Sequence, residues 1–308
     1  MRLARRTRGN AGRHRARACG TGRVASRFKD TRDLCQNLEV RRSPGGLLLI
    51  VASVLIALAI GSWWLDRVAF SPGNDDDVTH AILGDTDIRG QVATVVASAD
   101  APTLSQSPTQ LREFIEQIAR IPDGAALMSD FVADAHARLI GANGDVVTIS
   151  AEEQVVIVRD ERVGEMPPLT LPVQEVGSVA FVDGALGWFA LGSLGLGLLL
   201  LLVGIVLRPE RGEGTFALGV GLASLAGSLL VFGYLVPVAG LPALSDDVWM
   251  GVFPQLANHH RNLTLLLAVV ALVLAAVVVL GTSSRRQRRQ HSTPLNVGRY
   301  REEHRWSR

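Results

Sequence analysis

The sequence predicts an α-helical membrane protein: four transmembrane helices, with a mainly helical (α+β) extracytoplasmic domain between helices 1 and 2. Three observations predict it. Residues 45–65, 185–207, 215–237 and 263–281 contain no Asp, Glu, Lys, Arg or His. Each run is about 19–23 residues, and a hydrocarbon core about 30 Å thick takes about 20 helical residues at about 1.5 Å each. Charge is segregated between the remaining segments. The long segment between the first two runs then shows helical periodicity followed by strand-like patterning.

The charge segregation sets the orientation. Residues 1–43 hold thirteen Arg and Lys against three acids, and residues 282–308 hold eight against two. Residues 66–184 hold seven Arg against twenty acids, and residues 238–262 hold one Arg and two Asp. Basic residues near membrane ends favour the cytoplasmic side. Both termini are therefore expected in the cytoplasm of a cell membrane protein, with residues 67–184 outside. The net charge of +2 conceals this division. The basic tails flank membrane helices, so attraction to anionic lipid accounts for them and nucleic acid is not expected as a partner. Lys29 is the only lysine and the rest of the basic residues are Arg; with abundant Ala, Gly and Val, this composition suggests a high-GC genome.

In chain order, residues 1–43 read as a disordered basic tail. Its length and polarity do not suit an ordinary signal peptide, so the first span is expected to be a signal anchor, and initiation downstream of Met1 is compatible with this tail. Cys19 and Cys35 lie here, where thiols stay reduced. Span one covers 44–66 and ends in "GSWWLDR", with Trp63 and Trp64 at the level of an interfacial aromatic belt. Pro72 and Gly73 then break the helix.

The stretch "NDDDVTHAILGDTDIRG" (74–90) holds five aspartates and His80. Asp76 and His80, one turn apart, are weak metal candidates. The oxygen-ligand spacing of a calcium loop is absent, and zinc calls for more His or Cys. Asp75, Asp76, Asp77, Asp85 and Asp87 fit helix starts, where carboxylates meet free N–H groups and a favourable dipole.

Asp85 is the expected N-cap of a helix whose stripe is Ile88, Val92, Val95 and Val96. "SPTQ" starts another, with Ser107 as N-cap, Pro108 at the first position and Gln110 completing a capping box. A third helix follows Asp123, with Leu127, Phe131, Ala135 and Leu139 buried and Gly141 past its end. His136 is expected on its polar face, beside an Asp134–Arg138 pair. "NGDVVTIS" and "EQVVIVRD" read as strands, although Ser150 and Glu153 also fit a helical capping box. "MPPLTLPVQEV" is extended, at best an edge strand.

Span two covers 185–207, a cytoplasmic loop 208–214, span three 215–238, an outer loop 239–262 and span four 263–282. The rest, 283–308, is a basic tail. In the outer loop, Trp249, Met250, Val252 and Phe253 place the segment on the bilayer or over the external domain. His259 and His260, with Asp246 and Asp247, are the other weak metal candidates. Small residues stand at helical spacing in two spans: Ser53, Ala57 and Gly61 in the first, Gly219, Ala223 and Gly227 in the third. Such stripes let helices pack closely, within one chain or between copies.

The "SWWLDR" exit, "TDIRGQVATVVASADAP", "GDVVTIS" and the closely spaced last three helices resemble the uncharacterised multi-pass membrane proteins of actinobacteria. The resemblance covers residues 45–285 and implies no catalytic residue. No nucleophile elbow, zinc-protease helix, P-loop or dinucleotide fingerprint is present in the sequence. The spans lack the buried charges that ion-coupled transport uses. The expectation is a non-enzymatic cell-envelope protein, without a cofactor, whose external domain binds a partner protein or envelope lipid; a second copy is another candidate partner. The alternative is an accessory subunit of a transport or export system, or a small permeation unit. An envelope enzyme ranks third.

Overall fold

A computed structural model of the chain describes residues 43–71, 76–207 and 212–290, with residues 282–290 described by backbone alone. The expectations for the first basic tail, for the second beyond residue 290, for Cys19 and Cys35, and for Asp75 fall outside the described residues; residues 283–290 continue the last long helix. The fold is 81% helical. Four helices are long and apolar enough to cross a membrane: Pro44–Phe70, Gly177–Val206, Glu213–Leu244 and Arg261–Gly281.

The first spanning helix, α1 (Pro44–Leu65), starts where Ser43 caps it: Ser43 Oγ accepts from Gly46 N at 3.1 Å. The cap is itself held from the third span. The Glu213 carboxylate accepts from Ser43 N at 2.9 Å and from the Ser43 hydroxyl. A carboxylate there also meets the positive end of the α1 dipole. Past Leu65 the chain continues as one π-helical stretch, Asp66–Phe70.

Six short helices follow: α2 (Asp76–Ile82), α3 (Thr86–Leu104), α4 (Pro108–Ala119), α5 (Pro122–Ala126), α6 (Ser129–Leu139) and α7 (Ala151–Val158). Between α6 and the second span lie strands β1 (Thr148–Ile149) and β2 (Leu169–Thr170), paired antiparallel with Ile149 opposite Leu169. These elements form a headpiece. Asp85 caps α3, accepting from Asp87 N at 2.9 Å and Ile88 N at 3.2 Å. Ile88, Val92 and Val96 are buried and Val95 half-buried. The α4–α5 corner is tight. A Cβ at Gly124 would lie 2.2 Å from the Ile118 carbonyl oxygen, so only glycine fits that crossing.

Local expectations fail in four places. Residues 151–158 are helix, not strand: Ser150 accepts from Glu153 N, Glu153 returns a carboxylate to Ser150 N, and this capping box outweighs the Val-rich pattern. The helix expected after Asp123 is two helices, α5 and α6, and Leu127 at their junction is exposed rather than buried. Ser107 has the extended N-cap backbone, but no side chain caps α4. Arg138 does not pair with Asp134. Its guanidinium donates to the carbonyls of Gly144 and Asp145, closing the turn beyond α6, where Gly141 takes a φ of +74°.

The four helices of spanning length are α1, α8 (Gly177–Val206), α9 (Glu213–Leu230, continuing π-helically through Val231–Gly240) and α11 (Arg261–Gln290). The second π stretch contains Pro237, which has no N–H to give an α-helical bond. Helix α1 packs against both α8 and α9, and α9 packs against α11. The predicted stripe of α1 lies in the α1–α9 seam. Ser53 shares its hydroxyl proton between Ile50 O at 2.8 Å and Ala217 O at 3.1 Å. Ser228 Oγ donates to Ala57 O at 2.8 Å. A Cβ at Gly61 would lie 2.8 Å from Ser228 Cβ. The predicted α9 stripe divides. Gly219 faces Val279 of α11, whereas Ala223 is exposed and Gly227 has nothing near it. The face that meets α1 is Ala217, Gly221 and Ser228, offset from the predicted one.

The loop between α9 and α11 enters the headpiece core. It carries helix α10 (Val252–His259). Trp249, Val252, Phe253 and Leu256 are all fully buried, in one cluster with Ile88, Val96, Ile115 and Phe131. Of the two expected placements, the aromatic residues therefore cover headpiece core rather than bilayer. Gly251 allows this approach, because a Cβ there would lie 2.8 Å from Asp85 Oδ2.

Candidate functional site

The weak metal candidates have other partners or none nearby. Asp76 and Asp77 are exposed at the start of α2. His80 Nε2 lies 3.1 Å from Arg120 O and ties α2 to the end of α4. Asp247 Oδ1 accepts from Trp249 N at 2.8 Å, capping the turn before α10. His259 and His260 stack edge to face, 4.8 Å between centroids. Among the described residues, no three His, Cys, Asp or Glu side chains converge in a metal-holding group.

His136 is not on a polar face. It is 6% exposed, with Nε2 2.9 Å from Ala69 O and its ring edge-on to Phe253 at 6.2 Å. Burial lowers its pKa, and the carbonyl contact opposes that. The neutral ring is thus the Nε2–H tautomer, donating to Ala69 and fastening α6 to the π-helical end of α1. A cavity of about 170 Å³ adjoins it, lined by Phe70, Thr79, Ile140 and Ala142 among others.

Two buried charges lie on α3. Arg89 Nη1 donates to Leu83 O at 2.6 Å and Gly84 O at 3.3 Å, holding the turn that places Asp85. Asp100 is fully buried, and neither carboxylate oxygen has a hydrogen-bond partner. Burial pushes its pKa up to about 6.

The chemistry-bearing side chains outside the headpiece core gather in a collar, where spans meet headpiece. Trp64 Nε1 donates to Thr264 Oγ1 at 3.1 Å, joining α1 to α11. Gly233 of α9 fits against both, since a Cβ there would be 2.7 Å from Trp64 Cδ1 and 2.9 Å from Thr264 Cγ2. Just beyond stand Asp66, Arg67, Tyr234, His259, His260 and Arg261, with Asp183 of α8 facing Asp66. The Arg261 guanidinium lies 5.9 Å from the Tyr234 ring centroid. Partial burial, then His259 and then Arg67 hold the His260 pKa below its ordinary value.

Between α1, α8 and α9 runs an apolar groove of about 520 Å³, lined by Ile56, Ile60, Leu201, Ile205, Leu218 and Leu222 among others. Comparison with protein-family models, curated proteins and solved structures finds no match.

Sequence reasoning passed over Glu213, Arg89 and Asp100 as placed residues. A signal existed for two of them. Ile88, Val92, Val96 and Asp100 stand four apart, so the acid continues the buried stripe. Arg89, Ala93, Ala97 and Ala101 do the same on the adjoining face.

Proposed function

We propose that the chain is a non-enzymatic cell-envelope membrane protein that holds a binding domain rigidly at the outer face of the membrane. On this reading both termini are cytoplasmic and the headpiece is extracytoplasmic. The observation that carries it is the burial of Trp249, Phe253 and Leu256 in the headpiece core. The segment joining the last two spans thereby becomes part of the headpiece, so load or orientation passes between them without a flexible linker. The charge asymmetry along the sequence supports the orientation.

The headpiece leaves apolar side chains uncovered around the α4–α5 corner. Phe114 is 39% exposed, Ile121 51% and Leu127 39%. Phe114 and Ile121 stand seven residues apart along α4 and its exit, and α5, which Leu127 ends, packs against α4. Exposed aliphatic and aromatic groups rimmed by charges such as Arg112 and Glu116 suit a protein partner. The groove beside α1 gives less support to permeation, because it is apolar and the Ser53 hydroxyl at its wall is already bonded.

A photoreactive amino acid at position 121 tests the reading in intact cells. The expected result is a discrete adduct, absent when the same group replaces the exposed Glu152 and lost on Phe114→Asp. An adduct of twice the chain mass identifies a second copy as the partner. No adduct, or equal adducts at both positions, contradicts the reading.

A further inference from the structure

Three spans are locked at one depth. The Trp64–Thr264 hydrogen bond pairs α1 with α11, and Gly233 of α9 seats against both side chains. These helices run in opposite directions: α1 and α9 toward the headpiece, α11 away from it. Arg67 is three residues beyond Trp64 and Arg261 three residues before Thr264. Both cations therefore stand about 4.5 Å past the same plane, on the headpiece side. Tyr234, one residue past Gly233, reaches the same level, with Arg261 over its ring. His260 precedes Arg261 and lies within electrostatic reach of Arg67.

Asp66 and Asp183 share this collar, but among the described residues no ion pair ties either of them to Arg67 or Arg261. The nearest acid in sequence, Asp66, faces Asp183 of α8. Arg67, His259 and Arg261 are exposed, and His260 is half-buried. Two guanidinium groups at one level attract an anionic oxygen ligand, and the neutral His260 ring can donate its N–H to it. Guanidinium in particular forms paired hydrogen bonds to phosphate. The N-terminus of α11, at Arg261, adds partial positive charge.

What lies below the plane decides the source of the anion. From Leu263 onward, α11 presents Leu266, Val270, Val273 and Val277 outward, all strongly exposed. Trp63, 57% exposed, stands one turn below Arg67 on α1. A cationic rim above an aromatic residue and an aliphatic wall is the layering of a phospholipid: headgroup phosphate, interface, acyl chain.

We propose that Arg67, His260 and Arg261 form a headgroup site for an anionic phospholipid, which seals the seam between α1, α9 and α11. The inference rests on the helices spanning a membrane and is independent of which protein docks at Phe114 and Ile121.

The full chain, purified in a neutral detergent and stripped of lipid, is melted with phosphatidylglycerol, with phosphatidylcholine and with inorganic phosphate. Phosphatidylglycerol is expected to raise the midpoint by several degrees, phosphatidylcholine and inorganic phosphate little. The Arg67→Gln/Arg261→Gln variant is expected to lose the phosphatidylglycerol gain. Arg67→Lys/Arg261→Lys, which keeps the charge, retains a part of it, and Arg112→Gln in the headpiece retains all of it. Equal gains from both lipids, an equal gain from inorganic phosphate, no gain at all, or a full gain in the glutamine variant each overturn the proposal. If the glutamine variant does not fold, the contrast between the two lipids and phosphate on the native chain still decides it.

Discussion

Phe253→Ala is expected to release the headpiece from the spans and lower its stability by about 3–5 kcal/mol. The ring is fully buried and joins its own helix α10 to two other elements. Its centroid lies 6.0 Å from Phe70, at the end of α1, and 6.2 Å from His136 on α6. Truncation leaves a cavity at the junction of α1, α6 and α10, and removes the aromatic edge against which His136 is oriented. Core cavities of this kind collapse poorly when three helices surround them. The apolar spans insert independently of this ring. The expected outcome is therefore a chain that still reaches the membrane but whose headpiece is cut rapidly by trypsin at Arg112, Arg120 and Arg138. Asn258→Ala, one exposed residue on the same helix, should leave the digestion pattern unchanged. Equal resistance of Phe253→Ala and the native chain would show that the α10 segment is not part of the headpiece core.

Asp100→Asn is expected to stabilise the headpiece at neutral pH and to do nothing near pH 4. The folded carboxyl titrates at about 6, against 3.8 for an unhindered one, because burial disfavours its charged form. A raised folded pKa means that the native state holds the proton more tightly. Stability from this group is full below about pH 4, falls as pH rises toward 6, and stays reduced above that. The pKa difference corresponds to at most about 3 kcal/mol. Asparagine keeps the shape without the charge. Melts of native and variant protein should therefore differ by several degrees at pH 7.5 and converge below about pH 4. A variant that is less stable at pH 7.5 would mean that the ionised carboxylate has a partner holding it.

The four long apolar helices were legible because a charge-free run of that length has the length and composition of a membrane-crossing helix. The stripe of α3 was legible because Asp85 caps it and Ile88, Val92 and Val96 repeat at the helical period. What escaped depended on distant residues. Residues 151–158 read as a strand by Val and Ile content, yet Ser150 and Glu153, three apart, decide for helix through two short-range hydrogen bonds. For Trp249 and Phe253 the sequence leaves two placements open, on the bilayer or over the external domain. Only the seating of α10 between the end of α1 and α6 turns them into core. On α9, a one-dimensional stripe marks where small residues stand, not which neighbour each faces: Gly219 meets α11, Gly221 meets Ser53, and Gly227 meets nothing. The collar was half legible. Trp63, Trp64 and the two histidines stood out, but the common depth of Arg67 and Arg261 follows only from the Trp64–Thr264 bond.

The orientation of the headpiece is the claim on which binding of an extracytoplasmic partner depends. Val146 is 59% exposed on the headpiece and serves as a reporter position. In a chain carrying Cys19→Ser and Cys35→Ser, Val146→Cys and Ser292→Cys are each treated with a membrane-impermeant maleimide in intact cells. The account predicts labelling at position 146 without permeabilisation and at position 292 only after it. Labelling of position 292 in intact cells, with position 146 protected until the membrane is opened, would contradict it.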